Sequence, residues 1–359
     1  MPPAILRRYL ARQIYGAVGL VLLGFLALFA FFDLIGELGN LGNGGYQLRQ
    51  IFAYVLLSIP ARAYDLSPIA VLIGTLYALA HLAGNSEFTV MRGSGLSPLL
   101  ATISLARISL VFVLVTFVLG EWIAPVSERA ARSLKMRAMS SVIGQDLRSG
   151  LWFKDEGAFI NVREAREADV LDDVLVYQFD SEMRLQSMTA ARRGTHIENG
   201  VWKLEGVART VFTLNGPRVE RADSEQWQSA LRPELLNVLI VVPEKMSILS
   251  LHNYSRHLTE NKQKSERYEI AMWKKVLYPF TAFVMMALAL PFAYLEARHG
   301  MIGLKVFFGI MLGIAFHMLN SLFSHVGLLR NWPPLSAAAL PAVAFLMAAL
   351  AMMWWVERR

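Results

Sequence analysis

The chain contains no cysteine. Disulfide bridges, cysteine-ligated metal centres and thiol catalysis are therefore excluded, while the compartment stays open because a domain of ordinary size folds without bridges. Other chemistry is missing as well. There is no G-x-x-x-x-G-K-[ST] phosphate loop, so the chain does not hydrolyse ATP by that route. No H-E-x-x-H occurs, the seven histidines are scattered, and the glycines around Ser94 do not make G-x-S-x-G. Charge is scarce: 18% of the 359 residues are Asp, Glu, Lys or Arg, against 55% hydrophobic residues. With a mean hydropathy of +0.41, the composition is too apolar for one soluble domain.

What the chain has is long apolar runs, at residues 14–32, 67–82 and 103–123, and again at 276–295, 302–323 and 335–356. A helix needs about 18 or more apolar residues to cross ~30 Å of hydrocarbon. Six runs around one polar insert define a polytopic α-helical membrane protein with an inserted extramembrane domain. The expected division is residues 1–126 for spans one to three, 127–267 for the insert and 268–359 for spans four to six. The net charge of +7 does not point to nucleic acid, because the arginines gather at the ends of the runs, where anionic headgroups lie.

Arg7, Arg8 and Arg12 precede the first run, Arg92 and Arg107 follow the second, Arg298 and Lys305 border the loop after the fourth, and Arg358 and Arg359 close the chain. The opposite short loops, 39–50 and 327–334, carry only Arg49 and Arg330. The positive-inside rule then predicts cytoplasmic termini and an insert on the outer side. The first run lacks a small-residue cleavage site and reads as a retained helix.

The insert changes period. Residues 151–153, 159–162 and 174–179 are short β-branched and aromatic runs separated by Asp, Glu and Gly. Glu198-Asn199-Gly200 before Val201-Trp202-Lys203-Leu204 is a tight-hairpin signal, and 209–214 followed by Asn215-Gly216-Pro217 repeats the logic. An all-β, jelly-roll-like domain is expected. Near Ser247, an N-cap candidate, Ile248, Leu251, Tyr254 and Leu258 return to helical spacing.

Three groups of residues are candidates for function. His317 and His325 fall on one helix face, with Asn320, Ser321 and Ser324 nearby; they read as interhelical hydrogen-bonding groups or as part of a substrate path or proton relay, beside Phe316. Asp33 and Glu37 end the first run, Asp65 begins the second and Glu121 ends the third, where Pro125 is expected to terminate the span. These carboxylates either reach water or meet a substrate headgroup or partner helix. The third group is residues 85–98. Ser86 is a plausible N-cap, Glu87 suits the positive helix end, Phe88, Val90 and Met91 offer a short apolar surface, and Arg92 adds a cation before Gly93 and Gly95 stop the helix. It reads as a surface gripped by another protein or as an ordinary loop between spans.

Six stretches in order along the chain carry a family resemblance: Leu6-Arg7-Arg8-Tyr9, residues 85–98, residues 120–125, Gly150-Leu151-Trp152, Leu251-His252-Asn253-Tyr254, and Met272-Trp273-Lys274-Lys275 leading to Pro279. With them the sequence resembles the lipopolysaccharide-export permease family, LptF/LptG, and within it the LptG branch. The resemblance covers essentially the whole chain. It implies a periplasmic β-jelly-roll between the third and fourth spans. It also implies one half of an ABC exporter in a Gram-negative inner membrane, paired with an LptF permease, a dimeric LptB ATPase that binds ATP and Mg, and the membrane-anchored jelly roll LptC. No cofactor or metal is expected in this chain. Residues Glu87, Phe88, Val90, Met91 and Arg92 would match the coupling helix, and the first and fifth spans the lateral gates for lipid. Where relatives often carry lysines that meet lipid phosphate, this chain has Asp33, Gly36 and Glu37. Lipid contact is therefore expected to fall on Arg49, Arg62 or partner residues, with Asp33 and Glu37 turned to partner cations or bridged by a divalent ion. Release of a different lipid cargo, such as lipoprotein, and a non-transporting anchor or sensor are the alternatives.

Overall fold

The computed structural model describes residues 4–139, 151–229 and 243–358, apart from 44, 156–157, 168–169, 181, 183, 199, 214–215, 261–262 and 295–301. Helices α1 (Ala4–Leu38), α2 (Leu48–Gly84), α3 (Glu87–Gly93), α4 (Pro98–Val118) and α5 (Ala124–Ala138) precede a sheet of strands β1 (Leu151–Asp155), β2 (Ala158–Glu167), β3 (Val170–Phe179), β4 (Leu185–Glu198), β5 (Val201–Thr213) and β6 (Gly216–Gln228). Then come α6 (Ile248–Glu260), α7 (Glu266–Leu277), α8 (Thr281–Ala289), α9 (Pro291–Tyr294), α10 (Ile302–Leu329) and α11 (Pro334–Glu357). Among the described residues, six helical stretches are long and apolar enough to cross a membrane. The expected six-span fold class holds.

The spans differ sharply in burial. The most apolar window of α2 is 72% buried and that of the stretch Glu266–Tyr294 is 61% buried, whereas the window of α1 is only 6% buried. α2 is the hub, flanked by α1, α5, α8 and α10. Its helix starts at Leu48, well before the apolar run at 67, and carries Pro60 and Pro68 inside it. Proline removes the hydrogen bond to the carbonyl four residues back, which a nonpolar medium does not replace. At Pro68 that carbonyl belongs to Tyr64, and the Ser67 hydroxyl donates to it at 2.9 Å.

Pro125 does not end the third span. The helix passes through a π segment, Leu119–Ile123, and continues as α5 with the proline in its first turn, where a missing N–H is tolerated. Gly120 permits this bulge to seat on α2: a Cβ there would lie 2.4 Å from the Tyr64 ring. The limits drawn at 127 and 267 thus fall inside helices, and strands begin only at Leu151.

The sheet is a six-stranded antiparallel meander in the order β1 to β6, in keeping with a jelly-roll-like domain. Trp202, Ile160, Val162, Leu171 and Leu204 fill its core. The Ser229 hydroxyl, just past β6, donates to the Asp155 carboxylate at the end of β1 at 2.6 Å. Six flat strands would separate those edges by roughly 24 Å at ~4.8 Å each, so the sheet curls until its first and last strands meet at one end. The β4–β5 hairpin forms where Asn-Gly predicted it, with Gly200 at φ +79°, while Asn199 lies outside the described residues. Asn215 of the second turn, Gly150, Arg298 and Arg359 do so too.

Candidate functional site

Two places collect the candidate residues, one at each end of the helical bundle. The first is α3. Ser97 caps α4 through its hydroxyl, which accepts from the Leu100 N–H, but Ser86 does not cap α3 with its side chain. Ser86 sits instead in the left-handed region at φ 61°, so its hydroxyl is not aimed at the first turn. The exit is a C-terminal cap: the Gly95 N–H donates to the Arg92 carbonyl and the Leu96 N–H to Met91, with Gly95 at φ +97°.

The expected apolar surface of α3 divides. Phe88 and Met91, three residues apart, are 2% and 6% exposed and belong to the bundle core. Spacing of three puts both on one helix face, and that face turns inward. Val90 is 67% exposed and stands with Thr89 and Arg92 on the outer face. Phe88 packs edge-on to Tyr294 of α9 at 5.1 Å, and the Arg92 guanidinium lies 5.0 Å over the same ring. Glu87 accepts a hydrogen bond from the Tyr9 hydroxyl of α1 at 2.8 Å. α3 is therefore bolted to the first and fourth spans and presents a small mixed surface outward.

At the other end, the four boundary carboxylates are engaged within the chain. Asp33 takes a two-point contact from Arg62, at 2.6 and 2.9 Å. Glu37 accepts from Lys135 at 2.7 Å and from the Asn40 amide at 3.1 Å. Asp65 accepts from Lys245 at 2.5 Å, and its carbonyl from the Tyr278 hydroxyl at 2.7 Å. Glu121 accepts the Ile248 N–H at 2.7 Å and the Leu249 N–H at 3.4 Å, closing the positive start of α6. Lys275 donates to the Met246 carbonyl beside it. Tyr46 is fully buried near Glu37, and burial first, then that carboxylate's charge, pushes its phenol up to about 12.

The expectation that Asp33 and Glu37 need partner cations or a divalent ion is corrected by these pairs, since Arg62 and Lys135 already oppose them. Arg49 and Arg62 do not form one cluster either. Both lie on α2, thirteen residues and roughly 20 Å apart at ~1.5 Å per residue. Arg49 is exposed, with no hydrogen-bond or ion-pair partner among the described residues. On α10 the structure separates Phe316, which is buried against Phe345, from the exposed His317 and half-buried Asn320. The polar groups there bond to their own helix instead of crossing between helices: His325 Nδ1 approaches the Ser321 carbonyl at 2.8 Å and Ser324 donates to Asn320 at 2.8 Å. A carbonyl four residues back is always within reach of such side chains.

Sequence reasoning missed Tyr9, Lys135, Lys245, Lys275 and Tyr294. Tyr9 and Lys275 sit in stretches that carry the family resemblance, which was the available signal. Their partners lie 78 residues away for Tyr9 and 29 for Lys275. No group of three or more His, Asp or Glu arranged to hold a metal occurs among the described residues.

These contacts tie the helices of the bundle to one another. The family described as "Lipopolysaccharide export system permease LptF/LptG" matches residues 8–355. The chain is 31% identical to "Lipopolysaccharide export system permease protein LptG" of Escherichia coli (strain K12), across 100% of this chain and 99% of that protein. It is 29% identical to the protein of the same name from Haemophilus influenzae, across 99% and 98%. With both membrane halves and the β region inside one continuous match, the chain belongs to the lipopolysaccharide export system permease LptF/LptG family.

Proposed function

We infer that this chain is the membrane-embedded permease subunit of a lipopolysaccharide exporter, a multi-pass inner-membrane protein and a transport subunit rather than an enzyme. The observation that carries this reading is the family match over residues 8–355, which takes in the spans, α3 and the sheet together. The physical logic agrees. A lipid with several acyl chains is held in the bilayer by ~0.8 kcal/mol per buried CH₂. Extraction needs outside energy, and the sequence has no phosphate loop to supply it.

The finer assignments are proposals. ATP and Mg would be bound by a separate dimeric ATPase of the LptB kind, docking on the outward surface of α3 at Thr89, Val90 and Arg92. A homologous LptF-type permease would cover the exposed apolar faces of α10 and α11, and of α1 at its sheet end, whose windows are 17%, 28% and 6% buried. The sheet domain would stand in the periplasm and pass lipid toward an LptC-type jelly roll, with both termini cytoplasmic. Arg62, held in place by Asp33, would face phosphate only as far as its remaining N–H groups allow, and His317 and Asn320 are the exposed and half-exposed polar groups left on α10 for a lipid path.

Purification in mild detergent with identification of bound protein and lipid tests the exporter reading. Co-purifying ATPase and lipopolysaccharide are expected, and their joint absence would leave an anchor or sensor. The cysteine-free background makes orientation directly testable. A single cysteine at position 199 should react with an impermeant reagent from the periplasm, and labelling only from the cytoplasm would overturn the proposed topology.

A further inference from the structure

One crevice is unused by everything above. It lies between α1 and α2 on the α3 side of the bundle, with a volume of about 440 Å³, inside the ~300–1,000 Å³ of ligand sites. The two helices are clamped at Gly74, where an added Cβ would come within 2.5 Å of the Val18 Cα. From that clamp toward the start of α1, the crevice wall changes character. Ala17 and Gly16, with Leu20 just past the clamp, line its apolar part, where Leu20 and Gly16 are exposed, and Gln13, Arg12 and Tyr9 line its end. These positions recur at helical spacing and span roughly 16 Å at ~1.5 Å per residue, close to one leaflet's share of ~30 Å of hydrocarbon.

Three details give the crevice a ligand chemistry. Arg12 is exposed and has no hydrogen-bond or ion-pair partner among the described residues, and no acidic side chain lines the crevice. Gly16 is exposed and an added Cβ there would meet open space, so the groove is unobstructed at this turn of α1. Tyr77 and His81 of α2 stack at 6.1 Å and 9°, giving a flat opposite wall with a polar edge. A cation at one end and an apolar groove running along α1 from it follow the polarity of a bilayer leaflet. A partner helix would have to bring a carboxylate to the level where the membrane itself presents phosphate.

We propose that this crevice binds one anionic phospholipid of the leaflet next to α3, with its phosphate on Arg12 and an acyl chain over Gly16 and Ala17. The inference rests on the permease reading only for naming that leaflet as the cytoplasmic one. Occupancy has a direct route to α3, because Tyr9 lines the crevice and its hydroxyl donates to Glu87. The bound lipid is thus a structural neighbour of the α3 anchor, and is distinct from the lipid that would be exported.

Native mass spectrometry of the full chain, purified with its associated subunits, delipidated and titrated with phosphatidylglycerol or phosphatidylcholine, tests the site. The wild type should retain one phosphatidylglycerol in preference to phosphatidylcholine. Arg12→Ala should weaken that preference about tenfold, the scale of one charge-assisted hydrogen bond, and Arg12→Lys should restore part of it. Gly16→Leu should lower retention of both lipids by filling the groove, without disturbing the clamp at Gly74. Equal retention by wild type and Arg12→Ala overturns the proposal. So does a photocrosslinker at position 77 that captures only polypeptide, which would assign the crevice to a partner helix. ATPase co-purification and lipopolysaccharide release are read separately. A chain that fails those but keeps Arg12-dependent lipid loses the exporter reading and retains this site.

Discussion

The two ends of the helical bundle treat charge in opposite ways. At the end near the sheet, Asp33, Glu37, Asp65 and Glu121 each meet a cation or a helix start of the same chain. At the α3 end, Arg7, Arg8 and Arg12 are exposed and without partners among the described residues, and Arg92 leans on an aromatic face. The carboxylates of the first end are satisfied within the chain and, with Lys275, hold α6 and α7 against α2 and the third span, while Arg49 stays open there. The second end leaves its cations for groups the chain does not contain. Charge satisfied internally sets geometry, and charge left open recruits a neighbour, whether lipid phosphate or an acidic protein surface.

The sharpest way to break the comparison lies inside α3 itself. Phe88→Ala removes a ring that is 2% exposed and packed on Tyr294, and should destabilise the bundle by about 3–5 kcal/mol. Thermal unfolding in detergent measures it, and a near-neutral result would mean that the inward face of α3 is not core. Arg92→Ala, on the outward face, should leave unfolding nearly unchanged. Its effect is expected in ATPase docking or coupling, by about 2–5 kcal/mol if the partner group is left buried. Normal assembly and normal lipid release in Arg92→Ala would return α3 to the status of a plain loop.

Glu121→Ala examines the end near the sheet. It strips the α6 start of its acceptor and should lower stability by about 1–3 kcal/mol, with earlier proteolysis around residues 243–260. Docking at α3 should survive. The smallest effect is expected from Asp33→Ala, which frees Arg62 from a partly exposed pair of the kind that contributes ~0.2–1 kcal/mol. A photocrosslinker at position 33 or 37 should then be less informative than one beside Arg62, where lipid adducts should increase. Strong adducts at 33 and 37 in wild type without divalent cations would show that the pair does not shield those carboxylates.

Legibility in the sequence followed the range of the interaction. Span existence, the switch to strands, the hairpin at Gly200 and the cap at Ser247 depend on neighbours within one or two turns, and all are found, whereas the cap expected at Ser86 is not. Strand β4 escaped notice because Leu185–Glu198 mixes Arg, Thr, Ser and Gly without apolar alternation. It is a strand because β3 and β5 pair with it on both sides. Pro125 was misread because a local rule for proline met a tertiary exception, a π bulge seated on Tyr64.

Length, apolar run and turn chemistry by themselves determined that this chain crosses a membrane six times around a β domain, since a nonpolar solvent leaves few ways to satisfy a backbone. They also marked residues 85–98 as special. Which face of α3 is core, which group closes each boundary carboxylate and where the open arginines lie were decided only by tertiary structure. Those contacts join residues 29 to 206 positions apart, and no periodicity along one helix encodes the rotation of another helix against it.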